Sequence, residues 1–153
     1  MNREQIQALI PVGNAYLWLD EVVEVSDNQI HARKFLDPAL EIFQSHYVDF
    51  PLFPGALQCE AAFQAGAVLI AQSRTRTPGR IPVIARVKNV KFKRMVRPGE
   101  TLDLHVRFVS SSARMIALKG HLAVEGKTTT ELEFSAVEAP VGTSEATPAD
   151  RET

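Results

Sequence analysis

This chain of 153 residues carries a single cysteine, Cys59, which excludes an intramolecular disulfide framework and a zinc ribbon. A thiol without a partner agrees with a reducing compartment, and cytoplasmic residence is the expectation. Neither sign of charge is in large excess. The formal net charge is -1, so nothing in the balance asks for nucleic acid or an anionic membrane as partner. No pair of histidines has metal-ligand spacing, and no metal is expected. The longest apolar stretch, residues 56–71, is interrupted by Gln58, Glu60 and Gln64 and falls short of the roughly 20 residues that span a bilayer. The opening residues, MNREQIQALIPVG, lack a long apolar h-region and read as a short amphipathic helix rather than a signal peptide. A soluble protein is expected.

What is present is a chain 45% hydrophobic, enough for one globular domain that buries roughly 68–70% of the surface its unfolded form exposes. Residues 2–10 read as a helix stopped by Pro11 and Gly13. Residues 16–25, rich in aromatic and β-branched types, read as a strand. A turn at Asp27-Asn28 leads into a second strand over 29–35. Residues 56–71 form the one long predicted helix, and a polar loop follows over 75–80. Strands are then expected over 82–87, 90–96, 102–109, 113–124 and 127–137, with turns at 97–100, 110–112 and Glu125-Gly126. Residues 138–153, small and polar, read as a disordered tail behind a single domain over 1–137. Ala61, Ala62, Phe63, Ala67, Val68, Leu69 and Ile70 make the long helix apolar on every face, so it must be wrapped rather than laid on a surface. An antiparallel sheet of about six or seven strands curled around one central helix, the hot-dog arrangement of the α+β class, meets that demand. A two-layer α+β sandwich is the alternative.

The chemistry concentrates in HYVDFPLFPGALQCEAAFQ, residues 46–64. Glu60 lies inside the apolar helix, where burial disfavours its charged form; a carboxyl that keeps its proton is a candidate general acid. His46 precedes a segment restricted by Pro51 and Pro54. Pro54-Gly55 opens the helix, whose first amides lack internal partners, so the Gly55 N–H is placed to polarise an ester or thioester oxygen. Each feature has an ordinary reading as well. Single histidines before loops are usually structural, a lone acid in an apolar helix often faces a polar gap or interface, and Pro-Gly is common capping.

The joint spacing resembles the (3R)-hydroxyacyl-[acyl-carrier-protein] dehydratases. Their motif, His-Phe-Pro followed by Pro-x-x-Pro-Gly-x-Leu-x-x-Glu-Ala and a Gln four residues after the acid, is matched without a gap by His46, Pro51, Pro54, Gly55, Leu57, Glu60, Ala61 and Gln64. Ile10-Pro11 with Tyr16 to Asp20 resembles the family's opening segment, and residues 90–102 resemble its Val-x-Pro-Gly-Asp-x-Leu signature; coverage is about residues 6–137. The resemblance implies a homodimer of hot-dog subunits, in some members a trimer of dimers, with His46 of one subunit facing Glu60 of the other. It implies His46 as the base, Glu60 as the acid, Gly55 as the carbonyl donor and Gln64 as the residue that orients Glu60. It also implies acyl carrier protein as partner, and no cofactor beyond the phosphopantetheine that carries the substrate, or coenzyme A in its place. Tyr47-Val48-Asp49-Phe50 departs from the family's Phe-Pro-Gly-x, and Val12, Gly13 and Ala15 replace its His, Arg and Pro, so the loop after His46 should differ and a specialised lipid or polyketide pathway is as consistent as a housekeeping one.

Phe50, Leu52 and Phe53 are candidates to line an acyl tunnel, or plain core. Lys91, Lys93, Arg94 and Arg97, with Lys88, form a basic stretch that either docks an acidic carrier protein and its phosphopantetheine or protects a sheet edge; Arg74, Arg76 and Arg80 are further docking candidates. His31, His105 and His121 read as ordinary strand residues, and Cys59 as a small core residue. Two other functions stay open: a hot-dog acyl thioesterase, and a non-catalytic subunit that binds acyl or carrier protein.

Overall fold

The computed structural model describes residues 1–73, 78–112 and 115–140. Arg74, Arg76 and the tail from residue 141 onward lie outside the described residues. Helix α1 (Arg3–Gln7) is opened by Asn2, whose side chain accepts from the Gln5 N–H while the Gln5 side chain accepts from the Asn2 N–H, a reciprocal capping box. Strands β1 (Glu21–Val25) and β2 (Gln29–Phe35) follow, then a short helix α2 (Ile42–Ser45), the long helix α3 (Gly55–Ser73), and strands β3 (Arg80–Phe92), β4 (Thr101–Ser111), β5 (Ile116–Val124) and β6 (Lys127–Pro140).

The strands form one antiparallel sheet in the order β1-β2-β4-β5-β6-β3. Burial alternates along β2, β4 and β5, so Ile30, Ala32, Leu104, Val106, Leu118 and Leu122 face one side and pack with Ala61, Ala62, Ala65, Val68 and Leu69 of α3 in a single core. This is the hot-dog fold that the all-round apolar helix requires. β5 and β6 join through Glu125 and Gly126, both at positive φ, the backbone that a two-residue hairpin turn needs.

Three expectations change. The strands expected over 82–87 and 90–96 are one as far as Phe92, β3, and the break between them is a bulge at Lys88/Lys91 in which Asn89 takes φ 53; asparagine tolerates that conformation. Residues 16–20 are not strand. A 3-10 turn covers Asn14–Tyr16, and the Trp18 N–H is taken by the Gln64 side chain instead of a neighbouring strand. β6 continues through Pro140, so residues 138–140 belong to the sheet.

Asp20 ties the amino-terminal segment to the sheet. It accepts from Arg3 and from Lys34, each at 2.8 Å, and from the Phe35 N–H at 2.7 Å.

Candidate active site

Glu60 and Gln64 are one turn apart on α3, hence on the same face. Gln64, buried at 3% exposure, spends its whole amide: Oε1 accepts from the Trp18 N–H at 2.8 Å, and Nε2 donates to the Tyr16 carbonyl and to Glu60 Oε1, both at 2.9 Å. The carboxyl is therefore held by a group that is itself clamped to the backbone. Glu60 is half-buried in the single chain rather than enclosed. Its side of α3 opens on a cavity of about 400 Å³ walled by Ile10, Phe63, Ala67, Ile70, Ile81 and Phe134. Partial burial, and after it the charge of Glu60, raise the Tyr16 phenol above its ordinary value.

His46 ends α2, its N–H donating to the Ile42 carbonyl at 2.9 Å. The ring Nδ1 lies 3.2 Å from the Leu52 carbonyl. A carbonyl only accepts, so Nδ1 carries the hydrogen, and in the neutral ring the lone pair of a base is on Nε2. Tyr47 adopts φ 51 and sets its ring edge-on to the imidazole, 4.6 Å between centroids. His46 does not line the cavity that Glu60 lines.

Gly55 is the first residue of α3, and the Pro54 carbonyl takes the Leu57 and Gln58 N–H groups, so the Gly55 N–H precedes the first helical hydrogen bond. Its missing side chain has a use: a Cβ there would stand 2.7 Å from Phe92 of β3. The space over the Gly55 Cα is filled by that ring.

The tunnel candidates sit elsewhere. Phe53 is fully buried, its ring 5.2 Å from Trp18 and 6.4 Å from Phe43, and is core. Phe50 is exposed beneath the Arg97 guanidinium, 5.2 Å from its ring centroid. Leu52 contributes its carbonyl to His46. None of the three lines the cavity. Its true wall was legible as a stripe on the helix, Glu60, Phe63, Gln64, Ala67 and Ile70, spaced three and four apart.

The basic stretch is strand only as far as Phe92. Lys93 pairs with Glu131 at 2.8 Å and Arg94 with Glu100 at 2.6 Å, while Lys91 and Arg97 are exposed and make no ion pair among the described residues. Arg80 lies at the cavity rim, donating to the Glu138 carbonyl at 2.6 Å. Burial raises the Cys59 thiol above its ordinary value, the opposite of what a nucleophile needs. No helix among the described residues is long and apolar enough to cross a membrane.

The FabA-like domain family matches residues 10–133. The chain is 36% identical over 136 residues to the 3-hydroxyacyl-[acyl-carrier-protein] dehydratase FabZ of Erythrobacter litoralis, covering 88% of this chain and 90% of that one. It is 32% identical over 127 residues to the FabZ of Lactococcus lactis subsp. cremoris, covering 83% and 88%. Among solved structures, a chain of the dehydratase heterocomplex ApeI:P from Xenorhabdus doucetiae superimposes with a TM-score of 0.75 at 16% identity, over 88% of this chain and 90% of that one. A hypothetical thioesterase from Streptococcus pneumoniae with coenzyme A gives 0.64 at 9% identity, over 78% and 85%; likeness at these identities is one of fold. The chain belongs to the FabA-like domain family.

Proposed function

We propose that the chain is a hydro-lyase that converts a (3R)-3-hydroxyacyl thioester, borne on acyl carrier protein, to the trans-2-enoyl thioester and water, in fatty-acid or related lipid or polyketide synthesis. The observation that carries this reading is Glu60, held by Gln64 in the wall of an apolar cavity of acyl-chain dimensions, on a chain whose cited relatives above 30% identity are dehydratases by name.

In the reaction, His46 Nε2 removes a proton from Cα of the substrate. The electron pair left behind forms the Cα=Cβ bond as the Cβ–O bond breaks, and Glu60 delivers its proton to the departing oxygen, which leaves as water. The Gly55 N–H donates to the thioester carbonyl and steadies the charge that develops there. The elimination needs no cofactor beyond the thioester carrier, and no metal. The wall from Phe63 to Ile70 holds the chain in place of Phe50, Leu52 and Phe53.

The active unit is a homodimer. β3 is an edge strand of 13 residues whose outer side has no strand neighbour among the described residues, and Val83, Ile84, Val87 and Phe92 on it are exposed. A long edge of this kind pairs with another strand. A second copy of β3 beside the first closes the cavity, excludes water from Glu60, the condition under which a carboxyl keeps its proton, and brings the partner's loop after α2 to the site. That supplies the base that each chain's own cavity lacks. Lys91 and Arg97, which make no ion pair among the described residues, are the docking points for the acidic carrier protein, while Lys93 and Arg94 are held in ion pairs.

A panel of 3-hydroxyacyl thioesters of increasing chain length, followed at once for enoyl formation and thiol release, tests the reading. Enoyl product with the thioester intact is expected. Thiol release without enoyl product would make the protein a thioesterase, and carrier binding with turnover of neither kind would make it a binding subunit.

A further inference from the structure

On the face of the sheet away from α3, three histidines form a row. His31 on β2, His105 on β4 and His121 on β5 are directly opposed in successive ladders. Core-facing Ile30, Ala32, Leu104, Val106, Gly120 and Leu122 flank them in sequence, so all three imidazoles point outward. The His31 and His105 rings stack with centroids 4.2 Å apart and planes 20° from parallel, and His121 lies 6.2 Å beyond His105. The outer two are tied down, His31 Nε2 to Asp103 Oδ1 at 2.7 Å and His121 Nε2 to Thr128 Oγ1 at 2.9 Å. His105, in the middle, makes no hydrogen bond among the described residues.

The adjacent rung carries permanent charge. Arg107 stands directly opposite Lys119, both exposed and neither in an ion pair among the described residues. Like charges across a ladder oppose each other and weaken a sheet. The two rungs floor a groove of about 330 Å³, edged by Glu24 and Gln29. The acids around it are shared with other cations, although Glu133 stands opposite Lys119 and Glu131 opposite His121 on β6. Asp103 serves His31 and Arg33, Glu131 on β6 serves Lys93, and Glu133 on β6 serves Lys88 and Asn89. Among the described residues, Glu24 of β1 is the one carboxylate lining the groove, against two cations and three imidazoles. No group of histidine, cysteine or acidic residues among the described residues could hold a metal ion.

We propose that this groove is a proton-gated site for a tetrahedral oxyanion of the phosphate class, seated between the Arg107–Lys119 rung and the histidine row. The arginine fork and the lysine ammonium give charge-assisted hydrogen bonds that suit such an oxyanion. Burial, and after it the neighbouring His31 and His121, hold His105 below its ordinary pKa. An anion between them turns that repulsion into attraction, so binding and protonation favour each other reciprocally. The site lies across the sheet from Glu60 and does not depend on the dehydratase reading.

Phosphate changes its own charge near neutrality, so sulfate, a dianion throughout, is the primary probe. Calorimetric titration of the intact protein with sodium sulfate, at constant ionic strength and at about pH 6 and about pH 8, should give binding about three- to six-fold tighter at the lower pH, the change expected if the anion raises one imidazole's pKa by about a unit. Proton uptake and a shift of the His105 Cε1 proton resonance should accompany it. The exposed double substitution Arg107→Gln with Lys119→Gln should abolish binding while leaving the unfolding transition in place, and His105→Gln should leave weaker binding with a smaller pH dependence, because His31 and His121 still line the groove. Parallel titrations with inorganic phosphate and glycerol 3-phosphate separate the sources: binding of both points to a phosphate monoester, binding of the ion alone to the free anion, and either sustains the proposal. Equal sulfate affinity at both pH values, or wild-type affinity in the double variant, overturns it.

Discussion

Gln64 fixes the orientation of Glu60 through a 2.9 Å hydrogen bond from Nε2, and it does so with an amide already locked by the Tyr16 carbonyl and the Trp18 N–H. Replacing Gln64 by Leu removes both functions. The Trp18 N–H then loses its buried acceptor, at a cost of about 1–3 kcal/mol. The freed Glu60 should lower kcat about 10- to 100-fold with a smaller change in KM. Urea unfolding and steady-state kinetics check the two effects separately.

Gly55 and Phe92 are coupled by space. A methyl group at Gly55 would press on the Phe92 ring at 2.7 Å, and Gly55→Ala should cost about 1–3 kcal/mol by forcing the ring aside. Because Phe92 is 57% exposed, the ring has somewhere to go. Adding Phe92→Ala should return most of the lost stability, a non-additivity that a double-mutant cycle measures directly.

Much of this architecture was readable before any coordinate. The long helix was legible because its apolar residues leave no polar face, and Glu60 with Gln64 because a four-residue spacing puts two side chains on one face. What escaped depended on partners distant in sequence. Residues 16–20 have strand composition, yet the Trp18 amide finds its acceptor in Gln64, on another element. Lys88-Asn89 has turn composition, yet Asn89 absorbs its positive φ inside a continuous strand. α2 is four residues long and has no side-chain cap to announce it. The row of His31, His105 and His121 exists only through strand register, which no local pattern encodes. The cavity lies on the β3 side of α3, away from Phe50, Leu52 and Phe53, because its walls come from elements distant in sequence.

The histidine row predicts a pH dependence of stability. His105 has its folded pKa held below the ordinary value of about 6.5, so the unfolded chain binds more protons than the folded one once the pH drops below that value. Stability is therefore fully present above about pH 6.5 and is lost as pH falls from there through the folded pKa. Denaturant midpoints measured from about pH 8 to about pH 5.5 should fall for the wild type, and less steeply for His105→Gln.

Edge pairing through β3 predicts that oligomeric state and activity fail together. Val87 is 42% exposed on that strand, and Val87→Glu places like charges near one another across a symmetric strand pair. Sedimentation should show monomers, with dehydration activity down about 100-fold or more, because neither half-site holds both base and acid.

The central claim is that His46 and Glu60 act together across two copies of the chain. Co-expression of the His46→Ala and Glu60→Gln chains tests it most directly. Each variant alone should be inactive. Random pairing should restore about a quarter of wild-type dehydration, since half of the dimers are mixed and each mixed dimer holds one intact composite site. A mixture as inactive as its two components would contradict the claim.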